Sequence, residues 1–196
     1  MEPDMKPMHP IRGRAAAITI MALAAASAAI AMKVSSNQPA AADPLAGLSV
    51  APEYRCTPYR RGDYPYPQTI EARIVAAQGG HVYGPYTGRT FPSTRHTDIE
   101  HIVSLSEAHD SGLCAADPAT RRRFTTDLLN LTLAAPAVNR CARGAKCGHD
   151  AAGWLPPMNR CWFAARVVEV KRKYGLTVDR REAAALTGVL ARCDST

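Results

Sequence analysis

Hydrophobic residues recur along this chain in three spacings, and each predicts a different kind of element. The longest uncharged run, Ala15 to Met32, is built mainly of Ala, Ile, Leu and Met and follows a polar stretch carrying Lys6, Arg12 and Arg14. Ala-Ala-Ala at 40–42 comes soon after it. A basic start, an apolar middle and small residues beyond are the parts of a secretory signal peptide. A retained anchor is the competing reading, because the run approaches the ~20 residues that span a bilayer. Its Ala-rich, weakly apolar composition favours cleavage. Residues 33–51, rich in Ser, Pro and Ala, read as a linker or propiece.

Helical spacing appears next. Ile70, Ile74 and Ala77 share a face within a helix expected over 67–77, which Gly79-Gly80 ends. Two short strand-like pieces, 81–83 and 89–91, flank Gly84-Pro85-Tyr86-Thr87-Gly88 and predict a hairpin. Residues 97–105 are strand-like around Ile99, Ile102, Val103 and Leu105. Asp117-Pro118 sets an N-cap and a first helical position, with the helix running to about Leu128. Residues 129–134 form a short strand, and Pro136 opens a helix carrying Asn139, Arg140, Arg143 and Lys146. Phe163, Val167, Val170 and Tyr174 predict a helix stopped by Gly175. Asp179 caps a second one, with Glu182 as the partner in a capping box.

Composition adds a compartment. All six cysteines lie beyond residue 43, and an even count behind a signal peptide implies disulfides. Cys161 begins one helix of the C-terminal pair and Cys193 ends the other, so an antiparallel hairpin brings them side by side. Cys141 with Cys147 is a plausible local bridge, which leaves Cys56 with Cys114 by elimination. A zinc site using Cys141, Cys147, His149 and Cys161 stays open as the rival, although its spacing lacks the usual paired cysteines. Four of the 24 Lys and Arg and two of the 17 Asp and Glu precede residue 43, leaving the exported part with an excess of five positive charges. That suits a polyanionic partner, and solubility alone would also explain it.

Candidate chemistry gathers in two stretches. In Thr97-Asp98-Ile99-Glu100-His101-Ile102, an acid and an imidazole stand side by side between apolar anchors. A carboxylate binds a hard divalent cation and a neutral imidazole takes a proton from water. In Asn130-Leu131-Thr132-Leu133-Ala134 and Pro136-Ala137-Val138-Asn139-Arg140, one Asn opens a strand and another falls in the first turn of a helix. An Asn carbonyl oxygen is a neutral metal ligand, and an Asn amide can fix a loop. Arg140, Arg143 and Lys146 would form a basic stripe on that helix, facing phosphates or simply solvent. Tyr83, Tyr86 and Phe91 read as hairpin packing, and His149 and Asp150 remain unassigned.

The order of strand, Glu-His, strand, Asn and helix resembles the HNH nuclease family. Glu100-His101-Ile102-Val103, Asn130-Leu131 and Asn139-Arg140 match the three elements of its signature. The likeness to secreted members extends to Ser106–Gly112, Trp154–Pro157 and the Cys161-Trp162 hairpin, covering about Tyr83 to Cys193. It implies an α+β fold with a small ββα-metal core, added helices and a disulfide-linked helical hairpin. It implies magnesium, manganese or a similar ion held by Glu100 and Asn139, with His101 activating water and Asn130 steadying the loop. The chain then divides into 1–42 (signal peptide and linker), 43–80 (an extension with one helix) and 81–196 (the nuclease domain). Two departures stand out. Ser104-Leu105 replaces the usual proline, and the zinc-holding cysteine pairs of many relatives are absent. Asp98 could replace or assist Glu100. Strand alternation puts those two acids on one face and His101 on the other, so convergence at one ion requires the chain to bend there.

The expected activity is hydrolysis of DNA or RNA phosphodiesters with little sequence specificity, by a secreted enzyme. A non-catalytic polyanion-binding domain and a structural zinc protein are the rival readings.

Overall fold

The computed structural model describes residues 43–193, which lie in one compact unit. The signal-peptide reading of residues 1–42 falls outside the described residues. Ten helices and strands can be followed within 43–193: α1 (Ile70–Ala77), β1 (Tyr83–Gly84), β2 (Arg89–Thr90), β3 (Asp98–His101), α2 (Leu105–Asp110), α3 (Pro118–Thr126), β4 (Leu131–Ala134), α4 (Pro136–Asn139), α5 (Arg160–Tyr174) and α6 (Arg180–Cys193). The architecture is α+β: two small antiparallel sheets, β1–β2 and β3–β4, among helices. In the second sheet Asp98 pairs with Ala134, Ile99 with Leu133, Glu100 with Thr132 and His101 with Leu131.

The main core gathers Phe163, Val167 and Val170 of α5, Leu186 and Val189 of α6, and Ile102, Leu105, Leu113 and Phe124. Each fully buried side chain of this size contributes roughly 1.5–3 kcal/mol. A second cluster joins Ile70 and Ile74 of α1 to Ile99, Leu131 and Leu133 of the β3–β4 sheet. The 43–80 segment thus packs into the same unit as the rest, and the face of β3 that carries Ile99 is covered.

Several elements end where a side chain takes over from the backbone. The expected strand over 97–105 stops at His101. There the Asn130 side chain accepts from Val103 N and donates to Val103 O, replacing the ladder, and the chain turns into α2. Asp117 caps α3 through Ala119 N and Thr120 N. That helix ends at Thr126, two residues short of Leu128, because Asp127 leaves helical conformation and binds Leu129 N, the Tyr174 hydroxyl and the Lys173 ammonium. Asp179 caps α6, but Glu182 does not complete a capping box. It points inward to Lys171 instead, since a buried ammonium is a stronger partner than a solvated N–H.

The three expected disulfides are all present, with Cα–Cα separations of 5.8 Å for Cys161–Cys193, 4.4 Å for Cys141–Cys147 and 5.9 Å for Cys56–Cys114. No cysteine remains free, which removes the zinc reading. The helix expected from Pro136 through Lys146 is overturned. α4 lasts only to Asn139, and Arg140 is already extended. The ring closed by Cys141–Cys147 folds back on α4, with Lys146 N donating to Val138 O and Cys147 N to Asn139 O. Arg140, Arg143 and Lys146 therefore share no stripe.

Candidate functional site

The corner where β3 meets α4 carries the exposed part of the candidate site. Asp98 begins β3 and Asn139 ends α4, and the Asn139 amide donates to Asp98 Oδ2 at 3.1 Å. Arg140 grips both oxygens of the same carboxylate, Nε at 3.0 Å and a terminal nitrogen at 2.7 Å. Burial works against the Asp98 charge, yet the bonds from Arg140 and Asn139 outweigh it and hold its carboxyl below the usual range.

Glu100, two residues along the same face, is occupied. Its Oε1 lies 2.6 Å from the Lys146 ammonium, which also donates to the His101 carbonyl at 2.9 Å. Lys146 is 1% exposed, so it cannot meet a phosphate and drops out of the nucleic-acid contacts expected from sequence. Burial raises the Glu100 carboxyl, with Lys146 pulling it back down. The Tyr86 hydroxyl is buried beside Glu100 without a well-formed hydrogen bond, and burial and then Glu100 push it well above its ordinary value.

The His101 ring leaves the opposite face of β3. It packs 5.0 Å from the Tyr66 ring and lies nearly parallel to Phe124. Its Nε2 is 3.0 Å from the Thr125 carbonyl. A carbonyl only accepts, so Nε2 carries the hydrogen and Nδ1 keeps its lone pair. Burial pushes the ring down to about 3, with the Lys146 and Arg61 charges adding to the effect and the Thr125 carbonyl opposing it. Asn130, fully buried, ties down the segment that follows His101. The structure therefore joins Asp98 with Asn139 and Arg140, and Glu100 with Lys146. The His101 ring bonds Thr125, while the Asn139 amide bonds Asp98, three residues earlier on β3.

A neutral imidazole with a folded pKa of about 3 is charged more readily when unfolded, near 6.5. The unfolded chain takes the extra proton below pH 6.5, so stability is greatest above that value and is lost as pH falls toward 3. His101→Gln keeps an amide donor for Thr125 but does not titrate. In urea unfolding, the parent should lose about 2 kcal/mol more than His101→Gln between pH 6.5 and 4.5. Equal losses would mean the ring is not held neutral.

The cation and the carbonyl that answer Glu100 and His101 have no mark in the sequence. Lys146 looks like one more surface lysine, and Thr125 contributes only backbone. The closed cysteine ring was the one available clue that residue 146 is held inward.

An all-oxygen donor pair, the Asp98 carboxylate and the Asn139 carbonyl oxygen, suits a hard divalent cation. Because the Asn139 nitrogen faces Asp98, its oxygen is free of that bond. Arg140 is 70% exposed in its side chain and its ion pair is of the kind worth about 0–1 kcal/mol, so it can yield. The Lys146–Glu100 pair is buried and breaking it costs several times more. Asp98 and Asn139 thus fit the ion, and Glu100 would join only by giving up Lys146.

A disulfide-stapled α+β domain with a carboxylate–amide corner beside a two-stranded sheet is the class these observations define. Residues 66–189 match the C-terminal domain of GmrSD restriction endonucleases, and the chain belongs to that family. It is also 30% identical over 170 residues to an uncharacterized secreted protein of Arthroderma benhamiae, covering 76% of this chain and 82% of that one. No solved structure matches the chain.

Proposed function

We propose that the protein is a secreted endonuclease that hydrolyses DNA or RNA phosphodiesters with a magnesium- or manganese-class ion. The observation that carries this is the contact between the Asn139 amide and the Asp98 carboxylate at the strand–helix corner, in a chain of an endonuclease family. Asp98 and Asn139 would hold the ion. When bound, such an ion would polarise the phosphate and stabilise the charge that develops on the leaving oxygen. Arg140, released from Asp98, is exposed at the same corner and binds a flanking phosphate oxygen. Arg143, exposed on the cysteine ring, adds positive charge near the backbone of the substrate.

His101 is the candidate base: Nε2 is anchored on Thr125 and Nδ1 is the nitrogen left to accept a proton, and because burial lowers the basicity of the ring, that step needs the negative charge of a bound phosphate beside it. Its role requires the scissile phosphate to reach past the end of β3 to that nitrogen. Asn130, bonded to both polar groups of Val103, holds the turn that follows His101.

The test is incubation of purified protein with plasmid and with RNA, in magnesium or manganese and then in chelator. Cleavage is expected only with metal. Asp98→Ala and Asn139→Ala should each lose about 10–100-fold in rate or in metal affinity, and His101→Gln about 10²–10⁴-fold. A His101→Gln protein that cuts at the parental rate removes the base. Metal-free cleavage, or retained nucleic-acid binding with no cleavage at all, sinks the enzymatic reading.

A further inference from the structure

The run Arg121-Arg122-Arg123 lies on α3 and divides by helix geometry. Arg121 turns inward, donating to the Cys114 and Ala116 carbonyls and covering the Tyr64 ring. Arg122 and Arg123 are exposed and, with Thr126, form one wall of an open groove of about 580 Å³. Pro65, Tyr66 and Pro67 form the other. Tyr66 ties this groove to the candidate site. Its ring packs 5.0 Å from the His101 ring and carries the Arg61 guanidinium 4.8 Å from its centroid. The arginine wall is tied there as well, because the Thr125 carbonyl of α3 holds His101 Nε2. Both walls are therefore fixed to the candidate base.

The positive charge along this groove is uncommitted. No carboxylate lines it. Among the described residues, Arg61, Arg122 and Arg123 form no ion pair. The acids flanking α3 are spent, Asp117 on its cap and Asp127 on Lys173 and Tyr174. Arg61 gives one nitrogen to the Tyr64 carbonyl and Arg123 one to the Thr120 hydroxyl. A guanidinium carries five N–H donors, so most remain for phosphate oxygens, which it grips in pairs. These cations come from segments about 60 residues apart, so a local charge run does not account for their meeting. Arg61 and Pro65 also precede residue 66, where the family match begins, so part of this groove is built outside the matched stretch.

We propose that Arg61, Arg122 and Arg123 bind the phosphodiester backbone of an unpaired nucleic-acid strand, with a base against Pro65, Tyr66 and Pro67, and so lead the substrate past His101. The choice of ligand rests on the nuclease reading above. A cationic rim with an apolar floor matches a strand on which charged phosphates and flat bases alternate. An acidic peptide or a polyphosphate offers the charge without the base.

The probe is a fluorescent thymidine oligonucleotide, titrated into the whole protein in chelator so that nothing is cut. Arg61→Gln/Arg122→Gln/Arg123→Gln should weaken binding about 10–100-fold at low salt. It should also flatten the slope of log K against log salt by about two, at ~0.7 per phosphate contact on a single strand. Arg180→Gln/Arg181→Gln/Arg192→Gln removes the same charge from exposed positions outside the groove and should stay within about threefold of the parent. Inorganic polyphosphate should compete at least about tenfold less well than the oligonucleotide at equal charge. A parent that does not bind the oligonucleotide overturns the proposal. So does equal loss in the two triple variants, no loss in the first, or equal competition by polyphosphate. Plasmid cleavage with metal is scored separately. Cutting without groove binding sinks the groove alone, and groove binding without cutting sinks the enzymatic reading alone.

Discussion

Lys171→Met is expected to lower the unfolding free energy by about 3–5 kcal/mol. The ammonium is fully buried and donates to Glu107 Oε1 at 2.7 Å, to Glu182 Oε2, to the Ser111 hydroxyl at 3.1 Å and to the Thr177 carbonyl at 3.0 Å. Methionine fills much of the same volume, so packing changes little. What changes is that two desolvated carboxylates lose their shared counter-charge. For a unit of this size the melting temperature should fall by roughly 10 °C. The triple variant Lys171→Met/Glu107→Gln/Glu182→Gln removes the stranded charges and should recover most of the loss. A drop under about 1 kcal/mol in Lys171→Met would mean that water already reaches these groups.

Lys146→Met should cost nearly as much, about 3–4 kcal/mol, by stranding Glu100. This pair carries a functional question that Lys171 does not. The structure has Glu100 committed to Lys146 and leaves Asp98 and Asn139 as the oxygen donors. In the double variant Lys146→Met/Glu100→Gln, stability should return to within about 1 kcal/mol of the parent, since the ion pair is replaced by groups that need no counter-charge. Nuclease rate should then stay within a few-fold. A fall of about 10²-fold in metal affinity or rate, in a protein that still melts like the parent, would return Glu100 to the ligand set. Melting curves and a metal titration of plasmid cleavage read both outcomes.

The elements set by local chemistry were legible from the chain. Asp117-Pro118, Asp179 and Gly175 act through neighbours one to four residues away, and each sits where the sequence places it. The Cys161–Cys193 bridge followed from two helical periodicities and a turn. Elements decided by distant groups were not legible. β3 stops at His101 because Asn130, 29 residues on, takes over the hydrogen bonding of Val103. α4 stops because a ring of chain returns to cap it. The candidate site divides the same way. That Asp98 and Glu100 share a face opposite His101 is simple strand alternation. That Glu100 is claimed by Lys146, while Asp98 stays at the surface, depends on a fold-back that no periodicity encodes.

The cysteine ring has a temporal meaning as well. Six positions of chain separate Cys141 from Cys147, and the ring they close delivers the Lys146 ammonium into a place from which water is excluded. A chain held in a reducing cell interior has no such ring, and nothing obliges that lysine to surrender its hydration while Glu100 waits. Oxidation of Cys141–Cys147 and burial of the Lys146–Glu100 pair are thus coupled, so a reductant that opens this ring should also loosen the ion pair beside β3.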